Sequence, residues 1–194
     1  IDDGTITDSD TVGTLACTLG GADAADFDCS ISSKTVSIEF KVSPNYESHH
    51  DANTDGVYIL TVLISDGGGN DPNGATTLTI TVTDVNEFDV TSASDADSDA
   101  NSLAENSAAD TLAQVTALAT DADGSTNTVT YAMQSQTCAS VFAVASGTGI
   151  VTVDDNTNLN AEAAISCDVV IRSTSTGGST SDTTFSITVT DVDE

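Results

Sequence analysis

A ten-residue stretch of this chain recurs with seven positions identical. Leu78-Thr79-Ile80-Thr81-Val82-Thr83-Asp84-Val85-Asn86-Glu87 returns as Phe185-Ser186-Ile187-Thr188-Val189-Thr190-Asp191-Val192-Asp193-Glu194, an offset of 107 (191 − 84). Asp8-Ser9-Asp10 returns as Asp121-Ala122-Asp123 at 113 (121 − 8), and Phe27 as Phe142 at 115 (142 − 27). Offsets that differ only this much reflect loops of unequal length. The chain therefore reads as two copies of one unit of roughly 105–110 residues. The expected division is 1–87 and 88–194.

Inside each copy the apolar residues alternate with polar ones. Leu78, Ile80 and Val82 point one way and Thr77, Thr79, Thr81 and Thr83 the other. Tyr58, Leu60, Val62 and Ile64 alternate likewise, as do Val169 and Ile171. A period of two with a polar outer face is the pattern of antiparallel sheet buried on one side. Asp66-Gly67-Gly68-Gly69, Asn73-Gly74, Asp123-Gly124 and Gly177-Gly178 punctuate the strands as turns. No stretch has a helical period, and the Ala-rich run 103–119 contains Thr111, Val115 and Thr116, which suit a strand. Short strands at this density imply an all-β chain of two tandem, immunoglobulin-like antiparallel sandwiches.

The copies are not cut alike. Residues 88–120 precede Asp121 in the second copy, whereas seven residues precede Asp8 in the first. The first sandwich is thus expected to lack its opening strand and to present an open sheet edge. Either adjoining polypeptide supplies that strand or another chain donates it.

The core must be lean, because there is no Trp and there are only 5 Phe and 3 Tyr. The surface is extremely acidic: 31 acids face 3 bases (Lys34, Lys41, Arg172), a formal net charge of -28. Such a chain lacks the cations needed to bind nucleic acid or an anionic membrane. It also repels itself unless salt or bound cations intervene. Cys17, Cys29, Cys138 and Cys167 include no C-x-x-C pair, so zinc spacing is absent. Two cysteines per copy make Cys17–Cys29 and Cys138–Cys167 the simplest bridges, implying an oxidising, extracellular compartment; four buried thiols are the competing reading. No apolar run of about 20 residues is present.

Five short motifs recur in a fixed order. Thr83-Asp84-Val85-Asn86-Glu87 resembles the Asp-x-Asn-Asp/Glu linker that ends cadherin repeats. Leu103-Ala104-Glu105-Asn106 is similar to the family's early Glu motif, and Asp121-Ala122-Asp123 to its Asp-x-Asp. Pro44-Asn45-Tyr46-Glu47 and Leu159-Asn160-Ala161-Glu162 stand where the family has Leu-Asp-Arg-Glu. Val141-Phe142-Ala143-Val144 and Gly147 to Val153 look like its core strands. The resemblance extends over nearly the whole chain, and the stretch from Ser37 to Glu87 is most similar to the microbial branch.

That resemblance implies a cadherin-like fold and calcium between consecutive repeats. Calcium takes six to eight oxygens at about 2.3–2.6 Å, which alternating Asp and Asn can supply. Carried over, the junction between the copies would use Glu47, Asp84, Asn86, Glu87, Asp121 and Asp123, with the Phe88 carbonyl. Asp8, Asp10 and Asp66 would face a preceding repeat, and Glu105, Glu162, Asp191, Asp193 and Glu194 a following one. The family's late Asp is present as Asp66 but replaced by Ser173-Thr174-Ser175 in the second copy, so one or two ions are expected at the junction.

Plainer roles compete for these residues. The junction acids also suit a solvated hinge. Asp95-Ala96-Asp97-Ser98-Asp99 reads as a solvated loop, His49-His50 as a loop pair without further metal ligands, and the Thr rows as ordinary strand faces. No Asn-x-Ser/Thr sequon occurs. Neither Gly-x-Ser-x-Gly, His-Glu-x-x-His nor a phosphate loop is present, which points away from an enzyme. The sequence thus predicts a calcium-stiffened structural or adhesive segment of a large surface protein. Its partners would be neighbouring repeats or identical subunits end to end, with other surface proteins or glycans beyond them. The alternative is a self-assembling extracellular filament subunit with strand donation between chains.

Overall fold

The computed structural model describes residues 13–67 and 73–193. The chain divides into two compact units, Ile1–Val85 and Asn86–Glu194. Both are all-β: among the described residues the only helical pieces are two single 3-10 turns, Ala24–Asp26 and Asn156–Asn158.

Unit 1 contains β1 (Ala16–Gly20), β2 (Phe27–Ser32), β3 (Thr35–Phe40), β4 (Val57–Ser65) and β5 (Asn73–Thr81). One sheet has the order β1-β4-β5, and β2 and β3 form a separate hairpin. Unit 2 contains β6 (Ser94–Asp95), β7 (Ser102–Ala104), β8 (Leu112–Leu118), β9 (Val129–Gln136), β10 (Phe142–Val144), β11 (Ile150–Val153), β12 (Ser166–Ser175) and β13 (Thr180–Thr190). Its two sheets have the orders β10-β11-β8-β6 and β7-β13-β12-β9. All pairings are antiparallel except β7 with β13, which run parallel.

Unit 2 shows what the alternation does. Phe185, Ile187 and Val189 of β13 turn inward beside Cys167, Val169 and Ile171 of β12. They meet Ala113, Val115 and Ala117 of β8 and Val151 and Val153 of β11. The outward Thr184, Ser186, Thr188 and Thr190 stay exposed. Small alanines on β8 let the sheets approach without large aromatic fillers. The one buried tyrosine of the unit, Tyr131, keeps its hydroxyl satisfied by accepting from Ala119 N at 3.0 Å. On the outer face Arg172 donates two 2.8 Å bonds to Asp182 directly across the strand pair. Gln114 adopts a positive φ of 54° inside β8, where the pairing with β11 shifts register. Ala113, Val115 and Ala117 still alternate inward along the strand.

The repeat equates β1 to β5 of unit 1 with β9 to β13 of unit 2. Among the described residues nothing pairs with the outer edges of β3 and β5, where β8 and β7 lie in unit 2. The inner rows of unit 1 are correspondingly more open. Leu78, Ile80 and Val82 are only partly buried, as are Ile38 and Phe40. Aromatic packing compensates in part: Phe27, Phe40 and Tyr58 form a trio with ring centroids 4.3 to 5.5 Å apart. Asp23, itself buried, accepts from Ala52 N at 2.8 Å and Ile59 N at 2.7 Å, tying the first turn to β4 and the loop before it.

Both bridges form as the cysteine count suggested. Cys17–Cys29 links β1 to β2, and so joins the two sheets of unit 1. Cys138–Cys167 links the connection after β9 to β12, its own neighbour in the sheet.

The repeat supplies a matched pair for measuring how well the inner face of each unit is sealed. Ile187, with 0% exposure, and half-buried Ile80 occupy equivalent positions. Ile187→Ala is expected to cost about 2–5 kcal/mol, and Ile80→Ala about half as much, by urea unfolding. Equal costs would mean that the inner face of unit 1 is sealed as well as that of unit 2.

Candidate functional site

Carboxylates gather at the end of unit 2 where β7 and β13 finish. Their parallel register, Thr190 against Ala104, brings the next residues, Glu105 and Asp191, to the same end of the sheet. Glu105 N donates to Thr190 O at 2.9 Å, which continues the ladder by one step. The loop after Asn156–Asn158 arrives beside them and brings Glu162. One carboxylate oxygen from each of Glu105, Glu162 and Asp191 lies within 4.8 Å of the other two.

Glu105 is the fixed member. It is buried, and each oxygen is used: Oε1 accepts from Val192 N at 2.8 Å and Oε2 from Ala161 N at 2.9 Å. The Val192 amide, then the Ala161 amide, hold its carboxyl below the usual glutamate range against the opposing effect of burial. Its charge is therefore built into the fold. Glu162 and Asp191 are exposed and complete a rim of three acids. No basic side chain contributes to this cluster, so its repulsion is relieved by backbone amides and by whatever cation the solution provides. A hard divalent cation suits such an all-oxygen donor set, and the two exposed acids leave room for water ligands. Asp193 is exposed nearby in sequence, and Glu194 lies outside the described residues.

The acids at the opposite end of unit 2 are also locally organised. Asp123 is 1% exposed, and its Oδ1 accepts from Glu87 N at 3.0 Å and Phe88 N at 3.2 Å. Its Oδ2 is buried and accepts no hydrogen bond. An orphan carboxylate oxygen in that setting fits a cation ligand. Asp121 accepts from Asp123 N at 3.1 Å. Its carboxyl is held below the ordinary range, first by the Ser175 hydroxyl and next by the Asp123 amide. Asn86 Oδ1 accepts from Thr126 Oγ1 at 3.3 Å. Gly177 packs so closely there that a Cβ would fall 1.9 Å from Asn86 Oδ1, so any side chain at this turn would have to displace the Asn86 amide.

In unit 1, Glu47 is exposed in the loop after β3, where its amide donates to Asn45 Oδ1 at 2.8 Å. Asp84 is half-buried beyond β5, and Asp66 is buried just after β4. Asp8 and Asp10 lie outside the described residues.

Other polar features turn inward on themselves. Asp95, Asp97 and Asp99 form successive turns, with Asp97 N donating to Asp95 Oδ1 at 3.1 Å and Asp99 N to Asp97 Oδ1 at 2.9 Å. His49 Nδ1 sits 3.1 Å from Thr54 O, and its ring meets Tyr46 edge-on at 5.4 Å. Two contributors escape sequence reasoning. Ser175 stands beside Asp121, and its only sequence sign is the Ser173-Thr174-Ser175 run in place of an Asp. The Ala161 and Val192 amides carry no side-chain signal at all.

No protein-family model matches the chain, and no curated protein does. Solved structures do. The chain is similar to protocadherin gamma B7 domains EC3-6, solved as a cis-dimer, with 19% identity and a TM-score of 0.63 over 91% of this chain and 40% of that one. It is similar to human protocadherin-24 EC1-2, with 16% identity and a TM-score of 0.64 over 93% of this chain and 83% of that one. It is similar to extracellular cadherin domains 3-6 of protocadherin gamma B2, with 14% identity and a TM-score of 0.67 over 92% and 44%. The chain thus spans less than half the length of the first and third of these structures. At such identities the likeness speaks to architecture, and together with the sheet order above it gives this chain a cadherin-like fold.

Proposed function

We propose that this chain is a calcium-stiffened structural or adhesive segment of an extracellular surface protein. The observation that carries the reading is the carboxylate group Glu105, Glu162 and Asp191, with Glu105 pinned in its charged form by two backbone amides. The work of such a segment is geometric. Cations held by acids at the ends of consecutive sandwiches would fix the angle between them. Without cations the same acids repel and the connection loosens. The junction set Glu47, Asp84, Asn86, Glu87, Asp121 and Asp123 would act in this way, with Asp66, Asp8 and Asp10 at one outer end and Glu105, Glu162, Asp191, Asp193 and Glu194 at the other. The orphan Oδ2 of Asp123 supports its place in that set. Replacement of an acid by Ser175 lowers the charge available, which favours one or two ions over a larger number. The two disulfides and the cadherin-like fold favour an extracellular location.

A second reading has its own observation. The outer edges of β3 and β5 and the half-buried row Leu78, Ile80 and Val82 suit an added strand. If an identical neighbour supplied it, the chain would be the subunit of an extracellular filament.

Calorimetric titration of calcium into chelator-treated protein should show saturable heat in the micromolar to low-millimolar range. Calcium about a hundredfold above its Kd would add about 2.7 kcal/mol to stability and raise Tm accordingly. Glu162→Gln with Asp191→Asn should remove one binding event while leaving the calcium-free Tm nearly unchanged. No saturable heat, or a Tm rise that sodium chloride reproduces equally, would sink the proposal.

Glu105→Gln tests the pinned charge separately, in chelator. A carboxylate with a lowered pKa stabilises fully above the ordinary glutamate range and loses that effect as pH falls through the folded value. The Tm deficit of Glu105→Gln should therefore be largest near neutrality and shrink below about pH 4. A deficit independent of pH would assign Glu105 a packing role alone.

Sedimentation in calcium separates the two readings. A segment should sediment as a monomer, whereas regular, length-distributed polymers would establish the filament.

A further inference from the structure

We propose that Cys17–Cys29 is a reducible clip that holds unit 1 together, whereas Cys138–Cys167 is a sealed bridge that unit 2 does not depend on. The two bridges differ in exposure. Cys17 and Cys29 are each half-buried on β1 and β2. Cys138 and Cys167 are 8% and 0% exposed within the core of unit 2. Thiol–disulfide exchange needs a thiolate to reach one sulfur in line with the bond. The bridge of unit 1 leaves more of its surface to solvent for that approach than the bridge of unit 2 does.

They differ equally in what they join. β1 belongs to the β1-β4-β5 sheet and β2 to the β2-β3 hairpin, and among the described residues no hydrogen-bond ladder runs between these sheets. Across that gap the clip is supported by the Phe27, Phe40 and Tyr58 rings and by the Asp23 bonds to Ala52 and Ile59. Among the described residues of unit 1 the buried apolar side chains are Phe27, Tyr58, Leu60 and Ile64. In unit 2 the bridge ties strands that are already paired: Val169 faces Gln136, Thr137 N donates to Asp168 O, and Asp168 N donates to Thr137 Oγ1, both at 2.9 Å. Apart from the two cysteines, the buried cluster of unit 2 still draws on both of its sheets.

The chemistry is exchange with an external thiol such as glutathione. Two thiols deliver two electrons and two protons, the Cys17–Cys29 bond breaks, and one external disulfide forms. Cys17 and Cys29 become thiols. The hairpin can then leave the sheet, which uncovers the Phe27 and Tyr58 rings. Unit 2 keeps its bridge and its fold. The chain would carry one redox-sensitive unit and one insensitive one.

The test exposes the native protein to reduced glutathione, quenches by alkylation at intervals, and maps the labelled cysteines by peptide mass. Limited proteolysis runs in parallel. Cys17 and Cys29 should be labelled at least about tenfold faster than Cys138 and Cys167, which react at a comparable rate only in denaturant. New cleavage should fall within residues 13–85. Equal rates, or prior labelling of Cys138 and Cys167, would overturn the proposal, as would labelling of Cys17 and Cys29 without new cleavage in unit 1. A variant comparison is independent of access: Cys17→Ser with Cys29→Ser should lower the first urea midpoint, and Cys138→Ser with Cys167→Ser should leave unit 2 folded. The reverse ranking would also overturn it.

Discussion

Everything in this chain depends on closing a core from small aliphatic side chains without a tryptophan. Such a core has no single large residue to organise it. It relies on rows from two sheets meeting over their whole length. In unit 2 the rows of β12 and β13 face those of β8 and β11, and Ile171, Ile187, Val151 and Val169 are fully buried. Among the described residues of unit 1 the buried cluster is smaller: Ile38, Ile80 and Val82 stay partly open, while Phe27, Tyr58 and Leu60 are buried. Its core is local where that of unit 2 is distributed over both sheets.

The acids divide by the same logic of position. Some serve the backbone. Asp23, Asp95 and Asp97 accept from amides and shape the loops they sit in. Others are brought together by strand ends. Glu105 belongs to both groups, since its amide bonds shape the loop at Ala161 while its charge faces Glu162 and Asp191. A net charge of -28 is thus composed of acids with different structural costs, and Glu162 and Asp191 stay exposed beside the strand ends, where a cation could meet them.

The sheet content was legible because period two is a property of side chains. Thr-x-Thr-x-Thr beside Leu78, Ile80 and Val82 states which way a strand faces. Phe27 and Phe142 mark the same position in two copies, and both are buried. The cysteine pairs were legible from their number and their separation into halves. What escaped is what backbone does. The parallel β7–β13 contact rests on three residues, Ser102 to Ala104, too few to show a period. The Glu105 clasp depends on amides of Ala161 and Val192, positions whose side chains carry no polar signal. The bulge at Gln114 is a left-handed backbone at a residue that rarely adopts it, and composition does not announce it.

The parallel pairing has a mechanical consequence. β7 lies near the start of unit 2 and β13 at its end, and they run in the same direction. Tension applied through the two ends of the unit pulls these strands past one another lengthwise. Their hydrogen bonds are then loaded together in shear instead of being peeled apart one by one. The Glu105–Val192 bond lies at the outgoing end of that contact and shares the load. Part of the unit's resistance to traction would then rest on three residue pairs and one carboxylate.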